Sequence, residues 1–358
     1  MLHRKQYRVA VRVTIMVLAL TLTACGTQEN TGSTESVKSA ETVENTETVE
    51  SIETMENTET VKGIETMEST ETIENVEIIE AMVSESAAPQ ETANVTPQMQ
   101  PVEYTDLQQI TLDPNWEYAD HSKINTGAAV LYPAPEESGR KGIVIGVNAG
   151  HGTAGGAKVK TLCHPDGSAK VTGGSTAAGA TEAAAVSGGM TFQDGTPERE
   201  VTLRMAQILR DKLLTSGYDV LMLRDSEDVQ LDNVARTVIC NNVANCHIAL
   251  HWDSGDGKNY DKGCFYISVP EALKTIEPVA SHWQQHDTLG TDLVEGLREQ
   301  GAMIYGKGNM SIDLTQTSYS TIPSVDIELG NAYSDHSDEV LEQLATGLLA
   351  GINTYFEQ

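Results

Sequence analysis

The chain has 358 residues, of which 52 are acidic and 23 basic, and carries a net charge of −29 at pH 7. Nothing in it resembles the clustered Lys and Arg footprint that nucleic-acid binding needs, so that class of partner is excluded. Roughly half of the net charge lies in residues 26–100, so the total says little about the remainder, which is long enough for one sizeable domain with its own core.

Residues 1–24 read as a secretory signal. Arg4, Lys5, Arg8 and Arg12 precede an apolar run at 13–20 that is too short to span a bilayer. Leu22, Thr23, Ala24 and Cys25 close it. That ending resembles the bacterial lipobox, in which the Cys is lipid-modified and becomes the new N-terminus. An ordinary signal peptide with an incidental Cys is the alternative. The position of Cys25 at the expected cleavage point, with Gly26 after it, favours lipidation. The expectation is a lipid-anchored protein on the extracytoplasmic face of the cell membrane, within the cell envelope.

Residues 25–101 form a low-complexity linker built on a Glu/Thr hexapeptide, from Glu41-Thr42-Val43-Glu44-Asn45-Thr46 to Glu77-Ile78-Ile79-Glu80-Ala81-Met82. A period of six fits neither a helical face nor a heptad seam. Glu at every third position would set like charges together on a helix and weaken it. The segment is expected to be a disordered acidic stalk. Its residues could reach on the order of 250 Å when fully extended, far above the membrane surface at which Cys25 would be anchored.

Residues 102–140 are a lead-in in which Trp116, Tyr118, Val130, Leu131 and Tyr132 could pack against the domain C-terminal to it. Residues 141–358 alternate apolar runs with amphipathic stretches. Strands are expected at 143–147, 218–223, 247–250, 263–269 and 324–327, with helices after Pro197, around 231–238, at 281–300 and at 338–355. Val201, Met205, Ile208, Leu209 and Leu213 share one face of the first helix, Thr196 is its expected N-cap, and Pro197 suits a first turn. The alternation predicts an α/β fold: a single domain with a central, mostly parallel or mixed sheet flanked by helices. Residues 153–196, rich in Gly, Ala, Ser and Thr, read as a long functional loop or mobile insertion.

Three apolar runs lead into chemically capable residues. The first ends in Asn148-Ala149-Gly150-His151, the second is Cys246-His247-Ile248-Ala249-Leu250-His251, and the third is Pro323-Ser324-Val325-Asp326-Ile327-Glu328. Reactive groups of open α/β sheets collect at the carboxyl ends of strands, so these residues could converge with Glu198 at the start of a helix. Two His and one Glu around an open position make a catalytic zinc set, and a second Glu is then left for proton transfer.

The same motifs, in order, resemble the zinc-dependent N-acetylmuramoyl-L-alanine amidases of the amidase-3 family, which cut bacterial peptidoglycan. The resemblance rests on Ala149-Gly150-His151-Gly152, on Glu198-Arg199-Glu200-Val201-Thr202-Leu203, and on Leu223-Arg224, Asp228, Leu231 and Arg236. It continues through Ala249-Leu250-His251-Trp252-Asp253 and Pro323-Ser324-Val325-Asp326-Ile327-Glu328-Leu329-Gly330. It implies Zn2+ ligands at His151, Glu198 and His251 and a catalytic carboxylate at Glu328. It also implies hydrolysis of the amide between the lactyl group of N-acetylmuramic acid and L-alanine. Glu200 competes with Glu198, and the family's spacing from Val201 favours Glu198. Asn148 stands where the family usually has Asp, and Asp253 where Asn is common.

Other readings accompany these. The fold could serve another zinc peptidase acting on stem peptides, or a non-catalytic wall-binding lipoprotein. Arg224 and Arg236 read as structural ion-pair formers, and Trp252 as a groove wall or a core residue. His247, His282 and His286 read as surface or core side chains. Cys163, Cys240, Cys246 and Cys264 could form disulfides or stay as buried thiols. Cys163-His164 is more readily an ordinary loop pair than a second metal site. The length of residues 153–196 and their place between two ligands suggest a gate over the cleft.

Overall fold

The computed structural model describes residues 104–357 except 256 and 258. The signal segment, Cys25 and the repeat linker lie outside the described residues. In chain order the strands and helices are β1 (Gln108–Ile110), β2 (Ala129–Tyr132), β3 (Val144–Ala149), β4 (Lys160–Leu162), β5 (Glu182–Ala184), α1 (Glu198–Thr215), β6 (Asp219–Met222) and α2 (Asn233–Val243). They continue with β7 (Cys246–Asp253), β8 (Cys264–Ser268), α3 (Val279–Glu299), β9 (Ile304–Ser311), α4 (Thr315–Tyr319), β10 (Ser324–Asn331) and α5 (Asp338–Phe356).

Eight strands form one sheet in the order β1-β2-β6-β3-β7-β10-β8-β9. The middle four, β6, β3, β7 and β10, run parallel, and antiparallel pairing begins at β2 on one side and β8 on the other. This is the mixed α/β sheet flanked by helices that the alternation predicts. The central strands are continuous apolar runs because helices cover both of their faces. Strand alternation divides the core. Val220 and Met222 of β6 join Ile145, Val147, Ile248 and Leu250 in the cluster built by α1, α3 and α5. Leu221 and Leu223 turn the other way, toward Ala235, Ile239 and Cys240 of α2.

The lead-in supplies β1 and β2, which extend the sheet from β6 toward one edge. β9 forms the opposite edge. Its sequence, Ile-Tyr-Gly-Lys-Gly-Asn-Met-Ser, is largely exposed and lacks an apolar alternation, so nothing local announces it as a strand. Pairing with β8 makes it one. Residues 153–196 are likewise more ordered than a loop, since β4 and β5 pair as an antiparallel hairpin.

α1 begins at Glu198, but its N-cap is Pro197 and not Thr196, with no side-chain cap. The reason is that the Glu198 amide donates to the Met190 carbonyl, so backbone from the 153–196 segment takes the place of a capping side chain. The four cysteines of the domain are buried and unbridged. Burial pushes the Cys264 thiol up to about 12, which keeps it protonated and unreactive. No helix among the described residues is long and apolar enough to cross a membrane.

Candidate active site

Parallel pairing sets three central strands side by side with their carboxyl ends together. Ala149 of β3 pairs with Leu250 of β7, and His251 pairs with Glu328 of β10. His151 follows two residues after β3, and α1 brings Glu198 in from the chain between them. His151 Nε2 lies 2.8 Å from Glu198 Oε1. His251 Nδ1 lies 3.1 Å from that same oxygen and 3.1 Å from His151 Nε2. The two rings meet edge to face at 89° with centroids 4.6 Å apart. Among the described residues, these three make the only group of His, Cys, Asp or Glu side chains whose ligand atoms all lie within 4.8 Å of one another. Glu200 points outward instead and pairs with Arg199 at 3.6 Å.

Each of the three is held by a further partner. His151 Nδ1 is 3.0 Å from the Ser187 carbonyl and 3.1 Å from the Ser187 hydroxyl, and a hydrogen donated from Nδ1 to either leaves the Nε2 lone pair available to a cation. Glu198 is 2 % exposed, and its Oε2 accepts from the Met190 amide at 2.8 Å while Oε1 accepts from the Trp252 amide at 3.1 Å. Burial would raise its pKa. The hydrogen bonds and charges of His151 and His251 outweigh that and hold the carboxyl well below the usual range. Burial disfavours a charged His251, yet Asp326 first, then Glu198 and Glu328, lift its pKa to about 10.

The loop that carries His151 is an uncommon piece of backbone. His151 has φ 66°, a left-handed conformation that costs a non-glycine residue about 1 kcal/mol or more. Gly150 beside it must be glycine, since a Cβ there would lie 2.3 Å from the His251 ring. Two buried guanidinium groups hold the turn. Arg224 donates to the carbonyls of Ala149, Gly150 and Arg199 and to the Thr202 hydroxyl, at 2.8 to 3.1 Å. Arg236 donates to Asn148 Oδ1 at 2.9 Å, to the Ala149 carbonyl at 3.2 Å and to the His151 carbonyl at 2.6 Å. The expectation of ion pairs is therefore corrected: both arginines are structural, but they bind backbone carbonyls of the ligand loop. Burial, then the charge of Arg199, lowers the Arg224 pKa to about 10, and burial, then Arg224, lowers that of Arg236 to about 9.

Glu328 sits beside His251, with its Oε2 buried and without a hydrogen-bond partner. Burial, reinforced by Asp326, pushes its pKa well above the ordinary carboxylate value, the direction that suits a proton-handling group. Trp252 is a core residue, 2 % exposed and edge-on to Phe192 at 5.9 Å. Asp253 is ion-paired to Lys262. His247 and His286 are buried. His164 belongs to a buried cluster: its Nε2 is 2.9 Å from Asp313 and its Nδ1 2.8 Å from Ser168 Oγ, tying the 153–196 segment to the chain after β9. Ser187 and Met190 are the partners that sequence reasoning missed. Met190 acts through backbone atoms, which no residue type betrays, and Ser187 through its carbonyl as well as its hydroxyl.

Two imidazole nitrogens and a carboxylate oxygen drawn together in this way are a donor set that fits zinc. The family model described as N-acetylmuramoyl-L-alanine amidase, amidase-3, matches residues 145–352. Among solved structures, the N-acetylmuramyl-L-alanine amidase Ami1 from Mycobacterium smegmatis shares the fold at a TM-score of 0.51 and 16% identity, covering 60% of this chain and 97% of its own. Ami1 from Mycobacterium abscessus aligns at a TM-score of 0.49 and 19% identity, covering 60% of this chain and 99% of its own. N-acetylmuramoyl-L-alanine amidase AmiC2 of Nostoc punctiforme aligns at 0.45 and 16%, covering 61% and 99%. No curated protein matches the chain. With more than half of its length under the family model, this chain belongs to the amidase-3 family of N-acetylmuramoyl-L-alanine amidases, hydrolases of the peptidoglycan cell wall.

Proposed function

We propose that this amidase is zinc-dependent, with His151, Glu198 and His251 as the ligands and Glu328 as the catalytic carboxylate, and that it cleaves the amide between N-acetylmuramic acid and L-alanine. The observation that carries the reading is the meeting of three donors from distant stretches of chain, with a carboxylate in register beside one of them. Bound zinc would supply Lewis acidity toward the scissile carbonyl at neutral pH. The protein's own residues do the rest. Ser187 orients the His151 ring through Nδ1, and the Met190 and Trp252 amides fix both oxygens of Glu198. Glu328 Oε2, which has no partner of its own, takes the proton of the attacking water and returns it to the departing amine of L-alanine.

The same proposal extends to the parts outside the described residues. A signal peptide at 1–24, lipidation at Cys25, an acidic linker at 25–101, the lead-in at 102–140 and a catalytic domain at 141–358 would make a membrane-tethered enzyme that acts on the wall above it. Purified protein incubated with peptidoglycan should release intact stem peptides with a free L-alanine amine. A chelator should abolish the release, and added zinc should restore it. Cuts inside the stem peptide would point to a peptidase, and absence of both lysis and bound zinc would sink the metal reading.

A further inference from the structure

β10 presents a second carboxylate that amide cleavage by Glu328 leaves unused. Asp326 lies two residues before Glu328, on the same face of the strand. Its Oδ2 is 3.7 Å from His251 Nε2, and its Oδ1 is buried without a hydrogen-bond partner. Among the described residues, His251 is the basic side chain within 4.0 Å of it. A carboxylate oxygen buried without a hydrogen-bond partner is costly unless the group has a task.

The orientation of His251 supplies one. Its Nδ1 is the nitrogen aimed at Glu198 and His151, which leaves Nε2 as the outward nitrogen facing Asp326. His151 is arranged in the opposite sense: Nε2 faces the centre and Nδ1 is held by the Ser187 carbonyl. Each imidazole thus has an acceptor on the side away from the centre. For His151 it is a neutral carbonyl, and for His251 a carboxylate.

We propose that Asp326 is a positioning residue for the metal site. It holds His251 with the hydrogen on Nε2 and the Nδ1 lone pair directed at the cation, and it makes that imidazole a stronger donor. The separation of 3.7 Å exceeds a direct hydrogen bond, and a small rotation of the carboxylate closes it. Partners of this kind typically account for about 10- to 100-fold in metal affinity. The proposal rests on the zinc reading of the site.

The test is zinc affinity of the full chain, measured by competition with a chromogenic chelator. Wild type is compared with Asp326→Asn, which is nearly isosteric, Asp326→Leu, and Glu328→Gln. Asp326→Asn should weaken zinc binding about 10- to 100-fold and Asp326→Leu at least as much, with circular dichroism unchanged. The visible absorption of the Co2+-loaded protein should shift in Asp326→Asn, because the donor strength of His251 has changed. Glu328→Gln should keep wild-type zinc affinity to within about threefold, since Glu328 handles protons and does not hold the ligand. If folded Asp326→Asn binds zinc as wild type does and its Co2+ spectrum is unaltered, the positioning role is overturned while the metal reading survives. If wild type itself binds no zinc, both fall together. Should Asp326→Leu fail to fold, Asp326→Asn alone decides.

Discussion

The two histidines that face each other across the site are held by opposite means. His251 lies within β7, hydrogen-bonded between β3 and β10, so sheet register places it. His151 lies beyond the end of β3 at positive φ, and side chains from elsewhere place it: Arg224 and Arg236 grip its backbone, and Ser187 grips its ring. A strand residue inherits its position from the ladder, whereas a residue in a turn needs dedicated partners. The strand side in turn carries the carboxylates of Asp326 and Glu328, each with a buried oxygen, and the loop side carries the buried cations. Damage to the loop side should therefore appear first as lost ligand geometry, and damage to the strand side as altered chemistry at a well-placed ligand.

The largest expected effects ignore this distinction. His151→Ala and His251→Ala each remove a donor, so either should strip zinc and reduce peptidoglycan hydrolysis by about a thousandfold or more, as measured by dye release and metal content. If one of them kept its zinc, the symmetric role of the two imidazoles would be broken. Glu328→Gln comes next: hydrolysis should fall about 10²- to 10⁴-fold with zinc retained. Equal loss of zinc in that variant would move Glu328 from proton transfer to ligand support.

Arg236→Met sharpens the contrast. It removes the Arg236 donor from the His151 carbonyl and from Asn148 Oδ1, so it should destabilise the fold by about 2–4 kcal/mol and weaken zinc binding, both read from thermal melts with and without the metal. Arg236→Lys should recover little, because an ammonium cannot span acceptors that the planar fork reaches together. Gly189→Ala should cost about 1–3 kcal/mol: Gly189 has φ +80°, and a Cβ there would lie 2.9 Å from the His151 ring and 3.0 Å from Glu198 Oε2. Asp313→Ala is expected to have the smallest effect on the site. It should lower stability by about 1–3 kcal/mol through the lost His164 contact and leave zinc affinity unchanged. A drop in affinity there would mean that the 153–196 segment transmits strain to His151.

That segment also shows why a gate is hard to test by a large excision. Removing residues 170–189 would delete the Lys170 and Val171 contacts to Asp313 and, at Ser187 and Gly189, the backbone against His151. Activity lost in such a deletion would report a damaged ligand. A cut restricted to residues 173–178 leaves those contacts in place, and faster turnover of small muropeptides would then speak for a gate.

Several features of the molecule could be worked out from sequence because their causes are local. Continuous apolar runs mark the central strands, and apolar patterns of period 3.6 mark the helices α1, α3 and α5. Ala-Gly-His-Gly and Pro-Ser-Val-Asp-Ile-Glu carry donor chemistry in the side chains themselves, so the candidate residues stand out before any fold is known. The edge strand β9, the β4–β5 hairpin and the two lead-in strands lack such patterns and exist through pairing with partners distant in the chain. The same holds for the supports of the site. Backbone atoms of Ser187 and Met190, the carbonyls gripped by Arg224 and Arg236, and the approach of Asp326 to His251 depend on β7–β10 register and on long-range packing. A sequence specifies which groups can donate or accept. Which of them meet is decided by the geometry that burial of the whole sheet imposes.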